Sequence, residues 1–404
     1  MTTTASPESV GLTSAGLDRL DRHIARYIDA NAIPGGLALV ARRGEVAHFS
    51  VQGRADIENA VPLAPDTIFR IWSMTKPLTS IAVMQLFERG DLQIDDPVHR
   101  YIPSWEKLGV YESGQYPDIT TRAPDRPMTI RDLLSHQSGL SYGNLDVSPT
   151  DEAYLQVDIR RAGTTLDQLI ERLGNLPLKF SPGTRWNYSL STDVCGYLIQ
   201  LITGQSLDEY FNENIIGPLG MTDTAFWVPP EKVDRLAVSY TPADGGGLAI
   251  YDDPRKVTFV DPPAMLSGGG GLTSTADDYW RFAQALSNGG ELDGARIIGR
   301  KTLQLMTVNH LAGGADLPAV AYGQWTEPEF HGLGFGLGFS VTLDPAARQV
   351  TGSAGEYSWS GAASTTFFVD PAEELVFIFM TQLMNPPSRR LHRELRTIVY
   401  SALT

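Results

Sequence analysis

Apolar positions recur along the chain at two periods, and the switching between them outlines a fold. Over residues 15–30, Leu17, Leu20, Ile24 and Tyr27 return at helical spacing, which predicts an opening amphipathic helix. The stretch GGLALVARRGEVAHFSVQG predicts a β-hairpin: an apolar run from Leu37, a turn at Arg43-Gly44, and a return over residues 46–51. A helix that is apolar nearly all round follows Ser73-Met74-Thr75-Lys76 and ends near Arg89-Gly90, where Gly90 supplies a left-handed cap. Further helical patterns lie at residues 128–136, 165–173 and Ser191–Thr203, with Pro/Gly-rich loops at 110–127, 141–150 and 241–265. Strand patterns then return at 333–343, 359–369 and LVFIFMTQ, and a last helix spans 389–403.

A hairpin in the first part of the chain and three strands in the last predict one antiparallel sheet assembled from both. The fold class is therefore α+β, an α/β sandwich with helices flanking the sheet and a mostly helical lobe inserted between its two halves. Residues 1–72 and 273–404 are expected to form the sandwich and 73–272 the helical lobe, with a site in the cleft between them.

Composition narrows the possible partners. Of 404 residues, 42% are hydrophobic and 20% charged, the proportions of a soluble globular protein with ample core. A net charge of −15 argues against nucleic acid or an anionic membrane surface as partner. The opening MTTTASPESVGLT lacks a basic or apolar leader pattern, and no uninterrupted apolar run approaches about 18 residues, so the expectation is a cytoplasmic protein. The single cysteine, Cys195, permits no intrachain disulfide and lies on an apolar helical stripe, which predicts core packing. The seven histidines show neither HxH nor HExxH spacing, and no metal site is expected.

The candidate chemistry centres on Ser73 and Lys76. A serine hydroxyl is a poor nucleophile near neutral pH and needs a base. At i and i+3 on a helix, the lysine shares a face with the serine. The positive end of the helix dipole disfavours an ammonium and favours a developing oxyanion, and Pro77 is tolerated in the first turn. The apolar residues that follow predict a buried helix, and burial is expected to lower the Lys76 pKa. The spacing alone decides nothing, because Ser104-Trp105-Glu106-Lys107 repeats it in a chain with only six lysines. That copy follows Pro103 and leads into a polar loop, which places it on the surface. A different serine motif, Gly139-Leu140-Ser141-Tyr142-Gly143, matches the nucleophile elbow of α/β-hydrolases, and His310, His331 and His392 lie downstream of it. The elbow needs a strand before the serine and a helix after it. Here a helical pattern precedes it and a turn-like segment follows.

An enzyme built on Ser73 needs a further group to pass a proton to the leaving group, and FSPGTRWNYSLSTDVCGYLIQLITG places Tyr188 immediately before an amphipathic helix. With Ser73-x-x-Lys76, PGTRWNYS, GDLQIDDPVHRYIPSW, TIRDLLSHQSGL and SGGGGLTSTADDYWRF in this order, the chain resembles the serine β-lactamase and penicillin-binding protein superfamily from about residue 8 onward. The third motif of that superfamily, Lys-Thr-Gly on a strand, is absent; Lys301-Thr302-Leu303 lacks the glycine and starts a helical pattern. Trp359-Ser360-Gly361-Ala362 stands at the expected place and is similar to the family VIII carboxylesterases, which share the class C β-lactamase fold. Replacing the lysine by tryptophan removes a partner for a substrate carboxylate and adds an apolar wall suited to a neutral ester.

The resemblance implies Ser73 as nucleophile, with Lys76 and Tyr188 as the acid/base pair. It implies an oxyanion hole from the backbone N–H groups of Ser73 and Ala362. Gly361, with no Cβ, lets substrate come close to the strand edge. Leu190 takes the place of the substrate-binding asparagine of the class C Tyr-x-Asn motif. A literal Tyr-x-Asn at Tyr142-Gly143-Asn144 puts Tyr142 in the pocket wall. The expected partner is a small ester hydrolysed through an acyl-enzyme without cofactor or metal, by a monomer or homodimer. Acyl transfer, amide or β-lactam hydrolysis, and a non-catalytic binding protein of the same fold are the alternatives.

Overall fold

The computed structural model describes residues 4–254, 259–386 and 389–404. Its centre is β1 (Gly35–Arg42), buried at every position, which forms a hairpin with β2 (Glu45–Asp56). Five strands from the last third of the chain complete the sheet with the short β3 (Val61–Pro62). They are β4 (Leu333–Phe335), β5 (Ser340–Thr342), β6 (Tyr357–Ser360), β7 (Thr366–Asp370) and β8 (Leu375–Met380). The order is β4-β5-β6-β7-β8-β1-β2-β3, antiparallel throughout, and β1 joins the two halves by pairing Leu37 with Met380 and Arg42 with Leu375.

Alternation along β1 sorts its side chains between two layers. Ala38 and Val40 face α1 (Ser14–Asp29), through Leu17, Leu20 and Ile24, and the final helix (Arg390–Tyr400), through Leu391, Leu395 and Val399. Leu37, Leu39 and Ala41 face the larger core, where α2 (Thr75–Arg89) is buried from Thr75 to Leu86. Around α2 lie α3 (Ile130–Leu134), α4 (Pro149–Gln156), α5 (Leu166–Leu173) and α6 (Ser191–Thr203), the last packed directly on it. Helix α7 (Ala276–Ser287) closes the same face of the sheet over β7 and β8, and the helix over 390–400 is α8. The antiparallel sheet and helical middle thus agree with the pattern in the sequence.

Two predicted strands are hairpins instead. The run 333–343 breaks at Gly336-Leu337-Gly338, where Gly338 has φ +94° and a Cβ would lie 2.2 Å from Ser80 Oγ on α2. The run 359–369 breaks between Ser360 and Thr366, and Gly361 N–H donates to the Thr365 carbonyl at 2.8 Å. A Cβ on Gly361 would lie 2.4 Å from the Ile71 carbonyl oxygen, so the turn passes tightly over the segment that carries Ser73. The helix expected over 128–136 is trimmed to α3 by a capping box between Thr129 and Asp132. The loops at 110–127 and 241–265 contain small hairpins, Val110–Ser113 with Thr120–Arg122 and Ser239–Pro242 with Leu248–Asp252. Cys195 is buried in α6, and burial pushes its thiol pKa up. No helix among the described residues is long and apolar enough to cross a membrane.

Candidate active site

Ser73 sits in a short 3-10 helix, Trp72–Met74, that runs into α2. Trp72 holds φ at 45°, a left-handed conformation uncommon for a bulky residue, at the point where the chain turns out of Phe69–Arg70 into the helix. Lys76 follows in the first turn of α2 and is 1% exposed. Its Nζ lies 3.1 Å from Ser73 Oγ, 3.0 Å from Tyr142 Oη and 2.6 Å from the Gly269 carbonyl oxygen. An ammonium has three N–H donors and no acceptor, and here each donor has a partner.

This corrects the expected charge of Lys76. Burial does pull its pKa down, but the Tyr142 and Tyr188 oxygens beside it outweigh burial and the net shift is upward. In this arrangement Lys76 Nζ stands as a donor to Ser73 Oγ.

Tyr188 occupies the loop entering α6. Asn187 ties that loop down by donating to the Leu140 carbonyl at 2.8 Å, and the Ser138, Ser189 and Ser191 hydroxyls form a buried chain with contacts of 2.7 and 2.8 Å. The Tyr188 ring packs among His136 at 4.8 Å, Tyr142 at 5.4 Å and Trp359 at 5.4 Å between centroids. Lys76 Nζ stands 4.6 Å from the Tyr188 ring centroid, and Trp359 Nε1–H donates to Tyr188 Oη at 3.3 Å. Burial beside the Lys76 charge holds the His136 pKa well below its ordinary value, so this imidazole is neutral.

A cavity of about 290 Å³ opens over Ser73 and is lined by Tyr188, Trp359, Gly361 and Ala362. Trp325 and Phe330 extend its apolar wall, with Trp325 stacked on Trp359 at 5.8 Å and 9°. Among the described residues, neither Ser73 N–H nor Ala362 N–H donates to a protein acceptor. The geometry therefore assembles Ser73, Lys76, Tyr188, Trp359, Gly361 and Ala362. Tyr142, expected in the pocket wall, packs its ring on Tyr188 and receives a hydrogen bond from Lys76 Nζ. Leu190 is 1% exposed and packs in the core at the start of α6, not against the cavity. The Gly269 carbonyl and Trp325 escaped the sequence reading. The glycine run SGGGGL marked the first without giving its role, and nothing in AYGQWTEPEF marked the second.

The alternative serines are committed elsewhere. Ser141 is 2% exposed; its hydroxyl donates to the Asp151 carboxylate and accepts Gly143 N–H at 3.0 Å. Of the three downstream histidines, His310 and His392 bond the carbonyls of Leu305 and Ser364, and His331 pairs with Asp316. Lys301-Thr302 lies on the helix Arg300–Met306, where Lys301 bonds Gln304 and Thr302 bonds Glu88.

A serine hydroxyl 3.1 Å from a buried lysine, opening onto a cavity that a tyrosine also lines, suits a serine hydrolase of the esterase type. The chain belongs to the Beta-lactamase family, whose model matches residues 20–401. Protein Rv1367c of Mycobacterium tuberculosis is 34% identical over 369 residues, covering 91% of this chain and 90% of that one. Esterase EstB of Burkholderia gladioli is 32% identical over 395 residues, 93% of each chain. Among solved structures, EstCE1, "a hydrolase with promiscuous acyltransferase activity", matches with a TM-score of 0.81 at 28% identity, covering 96% of this chain and 98% of that one. Simvastatin synthase (LovD) of Aspergillus terreus shares the fold, with a TM-score of 0.80 at 24% identity over 96% of this chain and 99% of that one.

Proposed function

We propose that the protein is a carboxylesterase of the family VIII type, cleaving short- to medium-chain carboxylic esters through an acyl-enzyme on Ser73. The observation that carries this reading is buried Lys76 Nζ lying 3.1 Å from Ser73 Oγ beneath a cavity walled by Tyr188, Trp359 and Trp325. The Ser73 proton passes to the Lys76 and Tyr188 pair, which together act as general base. Tyr188 is the tyrosine of this pair because it lines the cavity over Ser73. Ser73 Oγ attacks the ester carbonyl, and the oxyanion receives the N–H groups of Ser73 and Ala362. Tyr188 then protonates the departing alkoxide and later draws a proton from the water that releases the acid. Trp359, Trp325 and Phe330 offer apolar surface to a neutral acyl or alkoxy group.

Mass spectrometry after treatment with a fluorophosphonate probe tests the assignment. Modification at Ser73 is expected, and an unmodified Ser73 in protein that still hydrolyses a p-nitrophenyl ester would overturn it. Acyl transfer is the second reading, favoured by the promiscuous acyltransferase activity of EstCE1. An acyl-enzyme partitions between water and an alcohol according to which fits the cavity, so transester product formed in the presence of alcohol acceptors would support it.

A further inference from the structure

Asp193, in the first turn of α6, is 2% exposed. A buried carboxylate without a cation beside it is costly to fold, and among the described residues no lysine, arginine or histidine pairs with it. Its Oδ1 accepts two hydrogen bonds, from Ser267 Oγ at 2.5 Å and from Gly269 N–H at 3.1 Å. The same Gly269 presents its carbonyl oxygen to Lys76 Nζ at 2.6 Å.

The glycines of this loop leave space for that arrangement. A Cβ on Gly269 would lie 2.5 Å from Asp193 Oδ2, and one on Gly268 would lie 2.8 Å from the Thr192 carbonyl oxygen. From the other side, Thr79 Oγ1 on α2 donates to the Gly268 carbonyl at 2.7 Å. The loop is thereby clamped between the helix that carries Lys76 and the helix that follows Tyr188.

We infer that Asp193 is a positioning residue of the catalytic site, fixing the Gly269 carbonyl that holds Lys76 Nζ in register with Ser73. Tyr188 and Asp193 leave the same helix end, so one structural unit sets both the tyrosine and the anchor of the lysine. The inference rests on the reading of Ser73 and Lys76 as catalytic. It assigns Asp193 no contact with substrate.

Three variants test it by steady-state hydrolysis of a p-nitrophenyl ester, with thermal melting to verify folding. Asp193→Ala frees the loop; kcat is expected to fall about 30-fold or more while KM stays within about twofold. Asp193→Asn keeps an oxygen able to accept both bonds and is expected to retain kcat within about threefold. Ser267→Ala removes one of the two anchors and is expected to fall between them. Wild-type kcat in Asp193→Ala would overturn the inference, as would loss of kcat in Asp193→Asn equal to that in Asp193→Ala. If Asp193→Ala does not fold, Ser267→Ala decides: lowered kcat at unchanged KM supports the inference and unchanged kcat overturns it. An active Ser73→Ala enzyme would instead overturn the functional reading underneath. An inactive Ser73→Ala enzyme beside a fully active Asp193→Ala enzyme overturns this inference alone.

Discussion

Ser104 and Lys107 lie at the two ends of one turn of 3-10 helix, Pro103–Lys107, with both side chains exposed. Ser73 and Lys76 straddle the start of α2 with the same spacing, but Lys76 is buried and its ammonium is divided among Ser73, Tyr142 and Gly269. Water surrounds the first pair and screens any interaction between its members. In the second, protein groups have replaced that water, and their fixed dipoles act at full strength on the serine. On the proposed reading, reactivity comes from what surrounds the spacing. It also depends on parts of the chain remote from it, since Tyr142 and Gly269 arrive from different loops.

The sharpest break of this comparison is to remove each serine. Ser73→Ala is expected to lower kcat on a short-chain p-nitrophenyl ester by about 1000-fold or more, and Ser104→Ala to leave it within about twofold. The lysines come next. Lys76→Met should cost about 100-fold or more in kcat, whereas Lys107→Met should be indistinguishable from wild type in the same assay. The two tyrosines around Lys76 separate by a smaller margin. Tyr188→Phe is expected to cost about 100-fold and Tyr142→Phe about 10-fold, with the effect of Tyr142→Phe in the acylation burst rather than in KM.

The pH profile gives the smallest effect. A lysine with a raised pKa keeps its charge below its ordinary value of about 10.4 and loses it only above. A plot of kcat/KM should therefore show no rise from Lys76 deprotonation between about pH 7 and 9. The stability difference between wild type and Lys76→Met should be constant across the same window, because the linked charge is lost only at higher pH. A rising limb that disappears in Lys76→Met would show a neutral lysine acting as base.

The sequence made the local parts of this molecule readable. Leu37 opened an apolar run that turned at Arg43-Gly44 and returned to Val51 as a hairpin must, α6 carried its apolar stripe, and Ser73, Lys76 and Tyr188 each stood at the mouth of a helix. Features set by contact between remote segments could not be read this way. The breaks at Gly336–Gly338 and Gly361–Thr365 follow from close passage of α2 and of Ile71, which apolar periodicity does not encode. The charge of Lys76 follows from acceptors on two separate loops, so the expectation from burial alone pointed in the wrong direction. Leu190 looked like a pocket residue by its place in a motif, but the backbone turns it inward as the cap of α6.

The seam between β1 and β8 has a consequence for how the enzyme comes into being. Leu37 cannot find Met380 until nearly the whole intervening chain has left the ribosome, so the central strand of the sheet waits while the helices around α2 are already synthesised. The turn at Gly361-Ala362, which completes the site over Ser73, comes with the same late strands. On the proposed reading, a chain truncated before β6 would carry Ser73 and Lys76 without Trp359, Gly361 and Ala362, and catalytic competence would be gained in one late step of assembly.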